Sequence, residues 1–485
     1  MLGGIVAYVG FSLAYLWLGQ ANSDEGWYLY ASKLVFLGQV PYRDFAYTQM
    51  PLLPYIYGVV QIVQPSLFLG RLTSIFFSVG ALGLGILTAR KYAGERAGAL
   101  TALLLASFIL GIYFDSIVKT YALVSFFFTA TLWVLSTNLK AKIPLAAFFA
   151  LAAAMVRLPA IFFAAPIILY GLIAAPSRTI RWTLVVECLA VGILAGWFLL
   201  PDLQVAQWNL LGSHLSHWGG IPAIDKIGDI LSLRFPDISQ NYGPILLLFA
   251  ALFYVAFQNN TTRRFVRGNL AILVVTIGLA LFAASHLANG LWATEYLIPA
   301  VVTGMPIAAI LLSKLYAEQP PDSRIFLQGI CVAVFLLLLT SESTQHFDLT
   351  GELPLQEIDQ VAAFVAQRSQ PTDRVLVLQA LWVAVDANRP VLPGMTLAQF
   401  SFQNADDTQT AERLHVVNYA MLLEDINRGA ARIVVLTQGD WNMLSGADPP
   451  NAAALQQALA QRYRLALTVP QFGQYAQNVF VYESR

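Results

Sequence analysis

Long apolar stretches alternate with short polar ones as far as residue 340, and there the alternation stops. The apolar stretches lie near 3 to 20, 66 to 89, 97 to 113, 119 to 137, 143 to 156, 158 to 174, 182 to 200, 243 to 257, 269 to 288, 296 to 313 and 325 to 340. A bilayer core takes about 20 apolar residues in a helix, so the pattern predicts about eleven transmembrane helices. Between Ile143 and Ala174 only Arg157 and Pro159 interrupt the run, which reads as one long helix or two short ones. Two short spans keep the topology consistent.

Beyond residue 340 the pattern changes period. Ile358, Val361, Phe364 and Val365 share one face of a helix over Leu355 to Arg368, and Arg374 to Leu378 is a short β-branched run. Thr410 to Arg428 reads as a helix, Arg432 to Thr437 as a second buried strand, Asn451 to Tyr463 as a helix and Asn478 to Glu483 as a last strand. The predicted architecture is a polytopic α-helical membrane domain over 1–340, with interfacial helices in 21–65 and an outer loop at 201–242. A soluble α/β domain follows over 341–485.

Composition agrees with that division. The chain is 57% hydrophobic and 12% charged, far from the roughly 25% charged usual in soluble domains. Its net charge of zero separates into +6 before residue 341 and −6 after it, and the acidic tail has no lysine, which excludes nucleic acid as a partner. Arg90, Lys91, Arg96, Lys140, Lys142, Arg178, Arg181, Arg263, Arg264, Arg267, Lys314 and Arg324 fall in loops on one side. By the positive-inside rule that side is cytoplasmic, as is the N-terminus, and the C-terminal domain is extracytoplasmic on a cell (inner) membrane. The first twenty residues read as a retained span, since they lack the Lys/Arg start of a signal peptide. Cys188 and Cys331 both lie in apolar runs and offer no disulfide framework.

Ionisable residues avoid the middle of the spans, Glu187 excepted, and collect at outer helix ends: Asp24, Glu25, Arg43, Asp44, Asp115, Lys119, Arg157 and Glu295. A proton-coupled carrier would need carboxylates at the midplane. The densest group is Asn22-Ser23-Asp24-Glu25-Gly26-Trp27-Tyr28, followed by Gly38-Gln39-Val40-Pro41-Tyr42-Arg43-Asp44-Phe45 and then Pro51 and Pro54. Trp27, Tyr30, Leu34 and Leu37 share one face, which predicts a helix over 25–37 lying in the membrane interface. Asp24 as an N-cap is worth about 1 kcal/mol, but capping does not explain a second lone carboxylate, Asp115, at another outer helix end.

A first span followed by Asp24-Glu25, an interfacial helix, the segment Gly38 to Phe45 with its prolines, and Asp115 at the end of the third span resembles the C-type glycosyltransferase superfamily (GT-C). The resemblance is nearest to the family 39-like, polyprenyl-phosphate-sugar-dependent branch, which includes protein O-mannosyltransferases and aminoarabinose transferases. It covers about residues 1 to 200. It implies an inverting glycosyltransferase that moves a sugar from a polyprenyl-phosphate donor to a glycan, lipid or protein acceptor on the outer face, among membrane lipids. Asp24 matches the base, Glu25 an acceptor-orienting or metal-binding acid, and Asp115 the second acid. Arg157, Arg43 and Lys119 are the outward cations suited to the leaving phosphate, and Tyr42, Glu295 and Tyr296 are further substrate-side candidates. The chain departs from the aminoarabinose branch at Gln49-Met50-Pro51, where that branch has Lys-Pro-Pro. A divalent metal is compatible with the superfamily, with His286, His214 and His217 as candidate ligands. The competing functions are a lipid-linked-sugar flippase or transporter, which would need a polar route across the membrane, and a noncatalytic membrane scaffold.

Overall fold

A computed structural model describes residues 1–212, 228–258, 260–288, 292–318, 324, 329, 332–334, 336–337, 353–404, 407–473 and 475–485. The expected last span at 325–340 falls mostly outside these residues, as do His214 and His217.

The membrane part begins with helices α1 (Leu2–Leu18), α2 (Ser23–Phe36), α3 (Leu52–Gln61), α4 (Leu67–Ser107), α5 (Ile109–Ser116) and α6 (Thr120–Ser136). It continues with α7 (Lys142–Val156), α8 (Ile161–Ala174) and α9 (Arg178–Leu199), then Phe235–Gln258, Leu270–Leu287 and Ile298–Glu318. The 41 residues of α4 are two rods, because Ala93 and Gly94 leave helical backbone and Gly94 sits at φ +76°, a left-handed conformation that glycine adopts without strain. That turn carries Arg90, Lys91, Glu95 and Arg96, the polar break expected between two spans.

Among the described residues, four helices are long and apolar enough to cross a bilayer alone, and α5 with α6 would do so as a pair bent by 110°. Several expected spans are therefore short or interrupted. Irregular backbone at membrane depth survives only where protein rather than lipid surrounds it. Phe108, Ile117 to Lys119 and Arg157, where the helices break, are all buried.

Residues 354–485 build the α/β layer. Four strands, β1 (Val375–Val377), β2 (Ile433–Thr437), β3 (Tyr463–Phe472) and β4 (Gln477–Ser484), form one sheet in the order β1-β2-β4-β3. The β1–β2 pair is parallel, with Val375 opposite Ile433, and the other two pairs are antiparallel. A parallel pair needs a crossover, and the chain between β1 and β2 supplies it through Leu381–Asp386, Thr408–Arg413 and Tyr419–Arg428. The expected single helix over 410–428 is thus two. β3 carries no strong strand signal because most of its side chains are exposed.

This layer sits directly on α2, so protein covers the aromatic face that the sequence turned toward the membrane interface. Trp27, Tyr30 and Leu34 are buried, and only Phe36 and Leu37 at its end are exposed. The Val391 N–H donates to Tyr30 Oη at 2.9 Å, and Thr396 Oγ1 donates to the Ala46 carbonyl at 3.3 Å. Gly26 is needed at the contact, since a Cβ there would lie 2.7 Å from the Trp382 nitrogen.

Candidate active site

The N-terminus of α2 is shaped by a capping box. Asn22 accepts from the Asp24 N–H at 3.1 Å, and Glu25 accepts from the Asn22 N–H at 3.0 Å. Adjacent positions on a helix point in different directions, so the paired acids separate. Glu25 turns inward, where Arg71 grips it through Nη2 at 2.6 Å and Nε at 2.9 Å, and the Val118 N–H adds a third donor at 3.0 Å. Arg71 spends its remaining protons on the carbonyls of Gly19 and Gln20, both at 3.0 Å, closing the end of α1. Both side chains of this pair are fully buried. Glu25 therefore has no face left for an acceptor or a metal, contrary to expectation.

Asp24 points outward and keeps 24% of its side chain exposed. Its carboxylate receives Lys119 Nζ at 2.9 Å and the indole N–H of Trp27 at 3.2 Å. Lys119 reaches it from the break between α5 and α6, and also binds Glu295 at 2.9 Å. One buried ammonium thus joins two carboxylates from distant parts of the chain. The same break supplies the Val118 N–H to Glu25, so both acids of α2 are fixed from one short extended segment.

Arg157 occupies the second break, between α7 and α8, on extended backbone at φ −144°. Its guanidinium donates through Nε to His286 Nε2 at 3.2 Å and through Nη1 to Thr120 Oγ1 at 3.0 Å. It stacks 4.5 Å above Tyr296 and 5.1 Å from Tyr121. No carboxylate of the described residues lies within ion-pair distance of it, and Nη2 makes no hydrogen bond among them. His286 Nδ1 faces the Phe282 carbonyl at 3.0 Å. A carbonyl only accepts, so Nδ1 carries the proton and Nε2 offers its lone pair to Arg157.

Asp24, Lys119, Glu295, Tyr296, Arg157 and His286 thus come together, and Glu25, Asp115, Tyr42 and Arg43 do not join them. Asp115 is fully buried in the last turn of α5, with Oδ1 accepting from Ser125 at 3.3 Å and Oδ2 without a hydrogen-bond partner. No ion pair or hydrogen bond joins it to Lys119 or Arg157. Tyr42 is buried with its hydroxyl bound to the Gln49 carbonyl, which makes it a pin for the 40–45 turn rather than a substrate contact. Arg43 is half exposed and paired with Asp44 at 2.8 Å. A divalent cation does not fit this centre, because the Lys119 ammonium already stands between the two carboxylates and Arg157 donates to His286 Nε2. Among the described residues no three metal-ligating side chains converge.

Arg71, Thr120 and Tyr121 escape a reading of the sequence. A lone arginine near the start of the apolar α4 was the available signal for Arg71. Thr120 and Tyr121 carry none, since hydroxyl and aromatic residues are common in spans.

No protein-family model matches the chain, and no curated protein does. Solved structures do. The aminoarabinose transferase ArnT from Cupriavidus metallidurans, bound to undecaprenyl phosphate, aligns over 99% of this chain and 98% of its own with TM-score 0.62 and 13% identity. The oligosaccharyltransferase AglB from Archaeoglobus fulgidus, in complex with an inhibitory peptide and a dolichol-phosphate, aligns over 93% of this chain and 72% of its own, with TM-score 0.51 and 12% identity. The chain therefore shares the overall fold of these two proteins.

Proposed function

We propose that the protein is an inverting glycosyltransferase that moves a sugar from a polyprenyl-phosphate carrier to an acceptor hydroxyl on the outer face of the membrane. The observation that carries this reading is a partly exposed carboxylate, Asp24, linked through Lys119, Glu295 and Tyr296 to a buried guanidinium, Arg157, that has no acid partner among the described residues. The fold adds support, since ArnT and AglB were solved with lipid phosphates.

In this reaction the acceptor oxygen attacks the anomeric carbon from the side opposite the phosphate. Its O–H proton passes to Asp24, the new O–C bond forms, and the C–O bond to phosphate breaks, which inverts the centre. Lys119 holds the Asp24 carboxylate in place at 2.9 Å, with one side left for an acceptor hydroxyl to reach, as a general base requires. Negative charge grows on the departing lipid phosphate, and Arg157 stabilises it more in the transition state than in the ground state. Thr120, His286 and the ring of Tyr296 hold the guanidinium in place, leaving Nη2 toward the substrate.

The deciding experiment is transfer from a polyprenyl-linked donor by purified Asp24→Asn protein. The amide keeps the shape but cannot take the proton, so the rate falls about a hundredfold or more while donor binding persists. Transfer at more than about a tenth of the wild-type rate removes Asp24 as the base.

A further inference from the structure

A cleft of about 690 Å³ opens between the second half of α2 and the α/β layer. None of the residues gathered around Lys119 lines it. Lys33, its floor, is nine residues beyond Asp24, or about 13 Å along the helix axis at 1.5 Å per residue.

The charges in this cleft do not balance. Lys33 is half-buried and has no carboxylate of the described residues within ion-pair distance; its ammonium lies 5.7 Å from the ring of Tyr30. The Arg374 guanidinium makes no hydrogen bond or ion pair among the described residues, and Asp425 reaches it only through the long-range field. Asp44, the one acid on the wall, is already neutralised by Arg43 at 2.8 Å, with His415 near it. Burial, and then repulsion from neighbouring Arg389, pulls Lys33 down to about 8. An arriving anion would relieve both effects.

The surroundings indicate what carries the anion. Leu34, Leu37, Phe45 and Pro393 give the wall apolar patches, between Gln39, Thr372, Asn388 and Thr396. Leu37 lines the cleft and is exposed, as is its neighbour Phe36, which packs against Gly58 of α3, and the end of α3 exposes Ile62 and Val63. A positive cleft opening onto an apolar shelf beside a membrane domain suits an amphiphile, with its phosphate in the cleft and its chains on the shelf.

We propose that this cleft binds a phosphate-bearing lipid headgroup, at a site separate from the Asp24–Lys119–Arg157 centre. The proposal does not depend on sugar transfer.

The test uses the full chain in phosphatidylcholine nanodiscs doped with phosphatidylglycerol, with lipid retention read by native mass spectrometry and inorganic phosphate as competitor. Wild type retains phosphatidylglycerol in preference to phosphatidylcholine. The Lys33→Gln, Arg374→Gln double variant loses that preference about tenfold or more, since each lost charged contact is worth about that much, and Lys33→Arg keeps it. Displacement by inorganic phosphate identifies the phosphate as the recognised group. Binding of inorganic phosphate with no lipid preference would overturn the lipid as its source. A double variant that unfolds at the wild-type temperature and retains lipid and phosphate as wild type does would overturn the site itself.

Discussion

Two neighbouring acids, Asp24 and Glu25, have opposite fates, and the difference is one of desolvation. Glu25 is stripped of water and compensated by Arg71 and the Val118 N–H, whereas Asp24 keeps water on one side and shares Lys119 with Glu295. Removing one partner of a buried ion pair leaves the other charged in a low-dielectric site, at a cost of about 3–5 kcal/mol. Glu25→Ala should therefore lower unfolding stability by about that amount, with loss of folded yield, while Asp24→Asn unfolds near the wild-type midpoint. Denaturant unfolding in detergent distinguishes them, and equal midpoints for wild type and Glu25→Ala would refute the structural role. The sequence marks both acids as adjacent and near water but cannot say which faces Arg71, because that depends on where α4 packs.

At the scale of elements, the site depends on helices that stop. The break at 117–119 delivers Lys119, and the break at 157 delivers Arg157; neither cation would reach Asp24 or its surroundings from the side of a straight span. Arg157 also acts by shape. Its planar fork bonds His286 and Thr120 and still leaves Nη2 without a hydrogen bond among the described residues, an arrangement a lysine point charge cannot copy. Arg157→Lys should lower kcat with the donor about tenfold, the cost of one charged hydrogen bond to the leaving phosphate lost in the transition state, and Arg157→Ala should lower it further. Steady-state kinetics with varied donor check this, and unchanged constants in both variants would make Arg157 an interface anchor. The hairpin of β3 and β4 is the other element to consider. Phe472 and Gly473 pack on Trp382, which itself rests on Gly26, and the exposed Tyr475 lies within the field of Asp24, Lys119 and Glu295. Tyr475→Ala should raise the acceptor KM severalfold and leave the donor KM alone; equal shifts in both would disconnect the hairpin from the acceptor. The interruption at Arg157 was legible as a charge in an apolar run, and the turn near Asp115 as a polar gap. Of the hairpin, β4 was legible at 478–483 and β3 was not, since an exposed edge strand lacks the alternation that reveals strands.

For the whole molecule, the membrane helices and the α/β layer are joined by few polar contacts, and one of them titrates. Asp386 accepts from the Leu67 N–H at 2.8 Å, yet burial outweighs that bond and raises its carboxyl to about 7. A raised folded-state value means that its contribution to stability is complete below the unfolded value near 4 and is lost as pH rises through about 7. Asp386→Asn should flatten the fall in melting temperature between those limits, and an unchanged slope would assign it to other groups. The topology is testable too: cysteines placed beside Asp24 and after residue 353 should both label from outside intact cells, and labelling only at 90–96 would reverse the orientation. Periodicity and the basic loops determined the helical membrane class, the α/β tail and the side on which chemistry is expected, because those depend on local burial and on charge bias alone. Tertiary structure decided which acid is free, that Lys119 joins Asp24 to Glu295, and that α2 is covered by protein and not lipid. Those outcomes follow from packing between residues as far apart as Lys119 and Glu295, or Tyr30 and Val391, and no local pattern encodes a contact of that range.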